Sequence, residues 1–209
     1  CGLMPIRGHS GVQGGAEMGC YATVLPGGKP ITPENAEKLS QQWGFEVPVT
    51  QGMTATEMIE AADRNALDVL FTVGGNFLEV LPEPDYVEAA LKKVPLRVHM
   101  DILCSKQMLL DPAETVVLLP ATTRYEVPGG VTETSTERRV MFTPEIPRQV
   151  GEARAEWKIL RDLALAAYPE RAHLFGCETG QKVREEIARV VPFYDGVQHL
   201  RKTGDAFQY

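Results

Sequence analysis

A glycine-rich segment at the start of the chain holds residues whose types indicate chemistry. Residues 1–30 contain eight of the nineteen glycines, and the stretch 7–15 reads RGHSGVQGG. Each glycine weakens a helix or strand, so we predict a loop that bends sharply or approaches a ligand closely. The guanidinium of Arg7 can hold a small anion through a planar two-pronged contact. His9 lies in the same segment, with a surface imidazole as the alternative interpretation.

Two further candidates follow apolar runs of strand length. Gly74, Gly75 and Asn76 come directly after one run, and Met100 and Asp101 end the next. Glycines allow the backbone to approach a pyrophosphate, and Asn76 can hydrogen-bond a phosphate or sugar; a tight turn is the alternative. The carboxylate of Asp101 can accept hydrogen bonds from the N1–H and 2-amino group of guanine, or from a ribose. The alternative for Asp101 is a helix N-cap.

The elements that must position these residues alternate between helix and strand. Capping patterns predict helices over 32–44 and 54–65, the first from Thr32 to a stop at Gly44 and the second with a Thr54/Glu57 capping box. Ligands bind beyond the carboxyl ends of the strands in an open parallel sheet. Apolar strands alternating with helices indicate an α/β fold, a Rossmann-like three-layer domain with a mainly parallel sheet flanked by helices on both faces. The strands are predicted over 67–73, 96–101 and 115–119, and further helices over 85–93 and 106–110.

The whole chain is interpreted as one domain. Residues 1–30 form the glycine-rich loop, 32–120 the α/β core, 121–150 a Pro- and Gly-rich loop wrapping over the surface, and 151–209 C-terminal helices and a tail. Two helices are predicted in the last part, over 152–167 and 179–190, followed by a tail without clear period. The buried face of the first is predicted to comprise Trp157, Leu160, Leu163, Ala164 and Ala167.

Composition and charge exclude several classes of protein. A net charge of -7 and a pI near 5.2 argue against nucleic-acid binding, which requires clustered Lys and Arg. The four cysteines lie far apart without a CxxC pair, so they predict neither a zinc nor an iron–sulfur site. No membrane span or signal peptide is recognisable, so we expect a cytoplasmic location. Because the chain opens in a glycine-rich motif without Met, we expect it to be excised from a longer one.

Several motifs carry a family resemblance. PIRGHSGVQGGAEMG resembles a stretch of formate dehydrogenase alpha subunits and related molybdopterin oxidoreductases. The blocks VGGNFLE, HMDILCSKQ, VVLLPATTRYE and ERRVMF follow in the family's order and approximate spacing. The resemblance is strongest to a branch that reads RGHS and TSTERRV, whose physiological substrates are often unassigned. Formate is therefore only an example of the small anionic substrate that the resemblance implies.

The resemblance implies a bis(molybdopterin guanine dinucleotide) cofactor with molybdenum, of which this domain would embrace one dinucleotide. It places Arg7 beside the metal, where it would hold or polarise substrate as the catalytic residue. Asp101 would meet the guanosine, and Met100 stands where the family has glutamine. The cofactor contacts that the resemblance implies are Gly8, His9, Ser10, Gln13, Gly74, Gly75, Asn76, Met100, Asp101 and Thr122.

The family resemblance also implies which partners the chain requires. The resemblance implies that three parts fall outside the chain: the metal ligand, the cysteines of an iron–sulfur cluster and the C-terminal barrel. Because the chain supplies no metal ligand, we expect it not to turn over alone. The expected partners are the remaining domains of the parent chain, a small anionic substrate such as formate, and an electron-transfer partner. A non-catalytic nucleotide-binding or interaction module is the alternative. An NAD-binding domain is disfavoured because no GxGxxG follows a strand.

Overall fold

The computed structural model describes residues 11–209. Its helices are α1 (Val12–Glu17), α2 (Pro33–Trp43), α3 (Ala55–Asp63), α4 (Phe77–Val80), α5 (Pro84–Leu91), α6 (Glu156–Ala167) and α7 (Gly180–Val190). Its strands are β1 (Val24–Leu25), β2 (Lys29–Pro30), β3 (Val69–Val73), β4 (Leu96–Asp101), β5 (Thr115–Pro120), β6 (Val131–Thr134), β7 (Arg139–Thr143) and β8 (Ala206–Gln208). Five 3₁₀ turns join them, at Lys106–Leu109, Arg124–Glu126, Pro169–Leu174, Pro192–Tyr194 and Val197–His199.

The chain folds into two compact units. The sheet unit comprises Met53–Thr123 and Gln149–Glu156, and the first unit comprises the described residues up to Gly52 together with Arg124–Arg148 and Trp157–Tyr209. Each unit has its own hydrophobic cluster.

Three parallel strands in the order β3-β4-β5 form the core of the sheet unit. Val73 pairs with Met100, and Met100 pairs with Leu119, so the carboxyl ends of the three strands meet at one edge. This arrangement confirms the predicted α/β fold with a parallel sheet flanked by helices. It also brings the turns that follow β3, β4 and β5 to the same side of the unit.

Helices α3 and α5 cover one face of this sheet. The Thr54/Glu57 capping box predicted for α3 is confirmed: Thr54 Oγ1 accepts from the Glu57 N–H, and the Glu57 carboxylate accepts from the Thr54 N–H at 2.7 Å. The buried cluster on this face contains Ile59, Ala62, Leu70, Leu78, Val87, Ala90, Leu91 and Val94.

The opposite face of β3 is open. Val69, Phe71 and Val73 alternate with the buried positions of this strand, and their exposed fractions are 52%, 37% and 49%. The expectation that helices cover both faces is therefore not met around this edge strand in the described part of the chain. An apolar strand sequence predicts that the strand is buried, but it does not identify the element that packs against each face.

In the first unit, helix α2 follows its sequence prediction closely. Thr32 Oγ1 accepts from the Asn35 N–H at 3.2 Å, Pro33 begins the helix, and Gly44 ends it with φ +77°. Helix α7 also begins as predicted, with Thr179 Oγ1 accepting from the Lys182 N–H.

The predicted surface loop over 121–150 is wrong in its middle. Strands β6 and β7 pair antiparallel there, and β8, from the tail without predicted structure, adds a third strand. Val140 and Phe142 of β7 belong to the buried cluster of this unit. In β7, buried positions alternate with positions that are not buried, as in a half-buried strand. This alternation was not recognised in the sequence because Pro, Gly and charged residues surround these short strands.

Two other segments of the first unit depart from prediction. The segment predicted as a loop over 1–30 contains α1 and the short β1–β2 pair within its described part. Helix α6 begins at Glu156 rather than 152, and its buried residue is Ile159, whereas Leu160 and Leu163 of the predicted buried face are exposed. Because apolar residues lie on more than one side of α6, their period alone does not identify the buried side.

Gly130, which precedes β6, is predicted to tolerate alanine poorly. Its φ is +72°, and an added Cβ would lie 2.5 Å from Cζ of Phe142 and 2.7 Å from the carbonyl oxygen of Thr143. Gly28 has a similar φ of +65° with nothing within 4 Å of such a Cβ, so it provides a matched control. We expect Gly28→Ala to lower the free energy of unfolding by about 1 kcal/mol through backbone strain alone. Gly130→Ala should cost about 2 kcal/mol more through overpacking, and equal losses in urea denaturation would contradict this account.

Candidate functional site

The candidate site lies at the carboxyl edge of the sheet unit. The turns after β3, β4 and β5 bring together six of the predicted residues: Gly74, Gly75, Asn76, Met100, Asp101 and Thr122. Gln13 belongs to the first unit, where its Nε2 donates to Oε1 of Glu17 at 2.6 Å. The proposed catalytic Arg7 and its neighbours Gly8, His9 and Ser10 lie outside the described residues.

The turn after β3 is built from a left-handed glycine and an asparagine cap. Gly74 has φ +64°, and its N–H donates to the Met100 carbonyl at 2.9 Å, which ties the turn to β4. Asn76 caps α4: its Oδ1 accepts from the Glu79 N–H at 3.4 Å, and its Nδ2 donates to the Glu79 carboxylate at 2.5 Å. Hydrogen bonds from Asn76 and Lys106 lower the pKa of Glu79. The Asn76 amide is thus engaged within its own turn.

Asp101 orients the turn after β4. Its Oδ1 accepts from the N–H of Ile102 at 2.6 Å and from the N–H of Leu103 at 3.3 Å. These bonds to the next two residues form a local turn and not the helix N-cap that the sequence left open, since the helical turn that follows begins at Lys106 with Ser105 as its N-cap. Because the two N–H groups engage Oδ1, the carboxylate is held in one orientation at the edge of the sheet. Met100, its neighbour, is fully buried.

Sequence reasoning missed Arg97, whose side chain is 0% exposed on β4. Its Nη1 donates to the Gln107 carbonyl at 2.9 Å, and its Nη2 donates to the carbonyls of Leu110 and Asp111 at 2.7 and 3.2 Å. Burial lowers the pKa of Arg97. The guanidinium holds the 106–111 turn against the sheet through main-chain acceptors.

Gln107 extends this network to the turn after β3. It is fully buried, and its Nε2 donates to the carbonyl of Gly75. Arg97 therefore fixes the turn that carries Gln107, and Gln107 in turn fixes the glycine turn. This chain of contacts makes the candidate site a preorganised edge rather than a set of independent loops.

His99 is the second residue that sequence reasoning missed. It is 1% exposed, and its Nδ1 lies 2.8 Å from Oγ1 of Thr72 on β3. Burial lowers the pKa of His99, the Arg97 charge lowers it further, and Asp101 partly offsets these effects by raising it. The imidazole is therefore neutral at neutral pH.

Several buried polar atoms at this edge have no hydrogen-bond partner. They are Nε of Arg97, Nε2 of His99, Oγ of Ser105, Oε1 of Gln107 and Oγ1 of Thr122. Buried polar atoms are normally hydrogen-bonded, and leaving one unpaired costs about 1–3 kcal/mol. These atoms belong to β4, to the turn after β4 and to the segment after β5. Ligands of open parallel sheets bind at such positions. The edge therefore fits a polar ligand such as a nucleotide.

A pocket of about 260 Å³ opens beside His99. Its polar groups are His99 and Asp101, which lie two residues apart and therefore on the same face of β4. The rest of its lining is largely apolar: Ile102, Leu103, Cys104, Met108, Leu118, Leu119 and Pro120.

In the first unit, a hydroxyl cluster holds helix α1. The Glu17 carboxylate accepts from Tyr194 Oη at 2.7 Å and from Tyr209 Oη, while Tyr194 Oη lies 2.6 Å from Thr134 Oγ1. Burial raises the pKa of Tyr194 to about 12. Since Gln13 also donates to Glu17, this cluster anchors the residues that directly follow the proposed catalytic segment.

Residues 11–209 contain neither a cluster of potential metal ligands nor a membrane-spanning helix. Nowhere in this part of the chain do three or more His, Cys, Asp or Glu side chains group as metal ligands. No helix formed by these residues is both long and apolar enough to cross a membrane.

Comparison with known proteins gives a consistent result. Residues 9–166 match the family model "Molybdopterin oxidoreductase". The chain is 32% identical over 209 residues to the F420-dependent formate dehydrogenase 1 subunit alpha of Methanococcus maripaludis, covering 100% of this chain and 29% of that protein. It is 33% identical over 206 residues to the probable oxidoreductase YjgC of Bacillus subtilis, covering 97% of this chain and 20% of that protein. The chain thus spans less than a third of the length of these relatives.

Proposed function

Because the chain belongs to the molybdopterin oxidoreductase family, we propose that its sheet unit holds one dinucleotide of a bis(molybdopterin guanine dinucleotide) cofactor. The protein would be a formate dehydrogenase-like oxidoreductase, and the described edge would form one side of the cofactor cleft. The observation that carries the proposal is the set of unpartnered buried atoms of His99, Gln107 and Thr122 at the carboxyl edge.

In this proposal, different residues of the edge contact different parts of the dinucleotide. The glycine turn at Gly74 and Gly75 lets the backbone approach a pyrophosphate, with Asn76 holding the turn in shape. Asp101 offers a carboxylate to the guanine, and the Thr122 hydroxyl offers a buried polar atom beyond β5. Met100 contributes by packing and through its carbonyl, which fixes Gly74.

Substrate handling in the proposal belongs to the N-terminal segment. Arg7 is the catalytic residue, whose guanidinium holds a small anion such as formate and stabilises negative charge during the reaction. Gly8, His9, Ser10 and Gln13 contact the cofactor beside it. When bound, the molybdenum centre supplies two-electron oxidation or reduction, while the protein supplies binding and electrostatics.

The activity of the whole protein is also part of the proposal, because the chain covers only 29% and 20% of the two relatives named above. The metal ligand, an iron–sulfur cluster and the contact for an electron-transfer partner would come from other domains of a longer protein. We place that protein in the cytoplasm. The sheet unit contributes binding and geometry rather than a complete reaction centre.

Metal and pterin analysis of the complete protein, purified from its host, tests the proposal. We expect molybdenum, pterin and guanine nucleotide to copurify, with two guanine nucleotides for each molybdenum, as the bis form of the cofactor requires. Bound nucleotide without molybdenum or pterin would overturn the proposal in favour of a non-catalytic nucleotide-binding module. Tight binding of NADH without pterin would indicate an ordinary dinucleotide-binding domain instead.

A further inference from the structure

Strand β3 has a free edge as well as an open face. The Gly74 N–H donates to the Met100 carbonyl of β4, and successive residues of a strand turn their main-chain groups to opposite sides. The N–H groups of Val69, Phe71 and Val73 therefore point away from β4. In the part of the chain that the structure describes, the sheet order β3-β4-β5 places no strand on that side.

This edge lacks the features that protect natural sheet edges. Edge strands usually carry Lys or Pro, a β-bulge or an inward-pointing charge, because a free apolar edge pairs with other strands. The segment Val69–Val73 reads VLFTV, without a charge or a proline, and it pairs with β4 in continuous register. On the outer side of β5, by contrast, the main chain of Arg154 bonds to Pro120 and Thr122. Strand β3 therefore has the sequence of an internal strand.

The open face extends along the whole strand. Val69 and Val73 lie at its two ends, about 13 Å apart at ~3.3 Å per residue, and both are exposed. A ligand at the carboxyl edge of the sheet therefore leaves Val69 uncovered. All-parallel sheets have cover on both faces, and parallel strands are joined by crossovers that are usually helices. One additional strand with its crossover helix would satisfy both the free edge and the open face.

We infer that β3 is an internal strand of a larger sheet in the complete protein: a strand from outside these 209 residues pairs with its free edge, and the helix joined to that strand packs on Val69, Phe71 and Val73. The chain covers only 29% and 20% of the two relatives named above, so proteins of that length have ample polypeptide for such a unit. A second copy paired edge to edge would bring only its own β3 to this side and leave the apolar face open. The inference does not depend on the cofactor.

Amide hydrogen exchange at single-residue resolution tests the pairing in the complete protein. Exchange at Phe71 and Val73, whose N–H groups face the free edge, should be as slow as exchange at Leu70 and Thr72, whose N–H groups face β4. Without a neighbouring strand, the outward amides would exchange at least about 100-fold faster, because an exposed amide exchanges without any opening of the sheet. Such an alternation in the complete protein would overturn the inference.

Site-specific cross-linking identifies the occupant of the open face. The photoreactive residue p-benzoylphenylalanine replaces Phe71 in the complete protein, and the matched control replaces Phe45, a half-exposed phenylalanine of the first unit that stacks on Trp43. We expect the probe at position 71 to attach to one segment outside the 209-residue chain, and any products of the control to map elsewhere.

Three results of the cross-linking would overturn the inference. They are products at position 71 that stay within these 209 residues, products that join two copies, and a product pattern that matches the Phe45 control. The proposed function would survive each of them, since the molybdenum and pterin content of the complete protein decides it.

Discussion

Replacing Arg7 with alanine in the complete protein is expected to lower turnover about 100- to 1000-fold while leaving molybdenum and pterin content unchanged. Removing a single donor that stabilises developing negative charge typically has an effect of this size. The cofactor should stay bound because the proposed dinucleotide contacts of Asp101 and the glycine turn do not involve Arg7. Turnover with formate as a trial substrate and metal analysis of the same preparation measure the two quantities separately.

Two variants sharpen the test of Arg7. Arg7→Lys keeps the positive charge but loses the planar two-pronged contact, so it should recover only part of the lost turnover. Arg64→Ala, which removes an exposed arginine just after α3 that pairs with Glu60 at 3.7 Å, should leave turnover unchanged. If Arg7→Ala loses cofactor and turnover in equal proportion, the residue is structural and the proposed catalytic role is wrong.

The sequence predicted those parts of the fold that local rules determine. Thr32, Gly44 and the Thr54/Glu57 pair act through hydrogen bonds and backbone angles within a few residues, so their caps were predictable. The β6–β7 pair was missed because its strands are stabilised by partners distant in sequence: Phe207 pairs with Val140 from the end of the chain. Such tertiary pairing overrides a local composition that is typical of loops.

The positions of the strand-end residues at this edge could be predicted from the sequence, whereas the contacts that hold them could not. Strand-end positions identified the glycine turn and Asp101, because the carboxyl edge of a parallel sheet follows from the order of the elements. Arg97 and His99 were missed although a signal was present: two basic residues alternate in a strand expected to be buried. A period of two places both on one face, where burial demands partners for them. The identity of those partners, main-chain carbonyls and Thr72, depends on the folded turns.

Arg97 is the residue on which the geometry of this edge depends most. It satisfies the carbonyls of Gln107, Leu110 and Asp111, and Gln107 then holds the Gly75 carbonyl. No other single side chain described at this edge reaches as many main-chain acceptors. Disturbing it should therefore affect stability and both turns together, whereas changes at Asn76 should remain local to α4.

Arg97→Met should lower the free energy of unfolding of the sheet unit by at least about 1–3 kcal/mol, the cost of leaving one buried main-chain acceptor without its donor. The aliphatic side chain fills much of the space but leaves the buried carbonyl of Gln107 and the partly buried carbonyls of Leu110 and Asp111 without their donor. Hydrogen exchange of the β4 amides measures this directly, since Trp43 and Trp157 both lie in the first unit and their fluorescence would report on that unit. Arg97→Lys should lower the free energy of unfolding by less than Arg97→Met does. The exposed control Arg64→Met should lower it by less than about 0.5 kcal/mol.

The pattern of exchange distinguishes a positioning role from a packing role. If Arg97 positions the site, protection at the glycine turn around Gly75 should fall along with protection at 106–111, although Arg97 has no described hydrogen bond to Gly75. Gln107→Met should then reproduce the loss at Gly75 while sparing most of the stability of β4, because the Gln107 main chain still accepts from Arg97. Loss of protection confined to β4 in Arg97→Met would show that the arginine only packs, and that the two turns hold their shape independently.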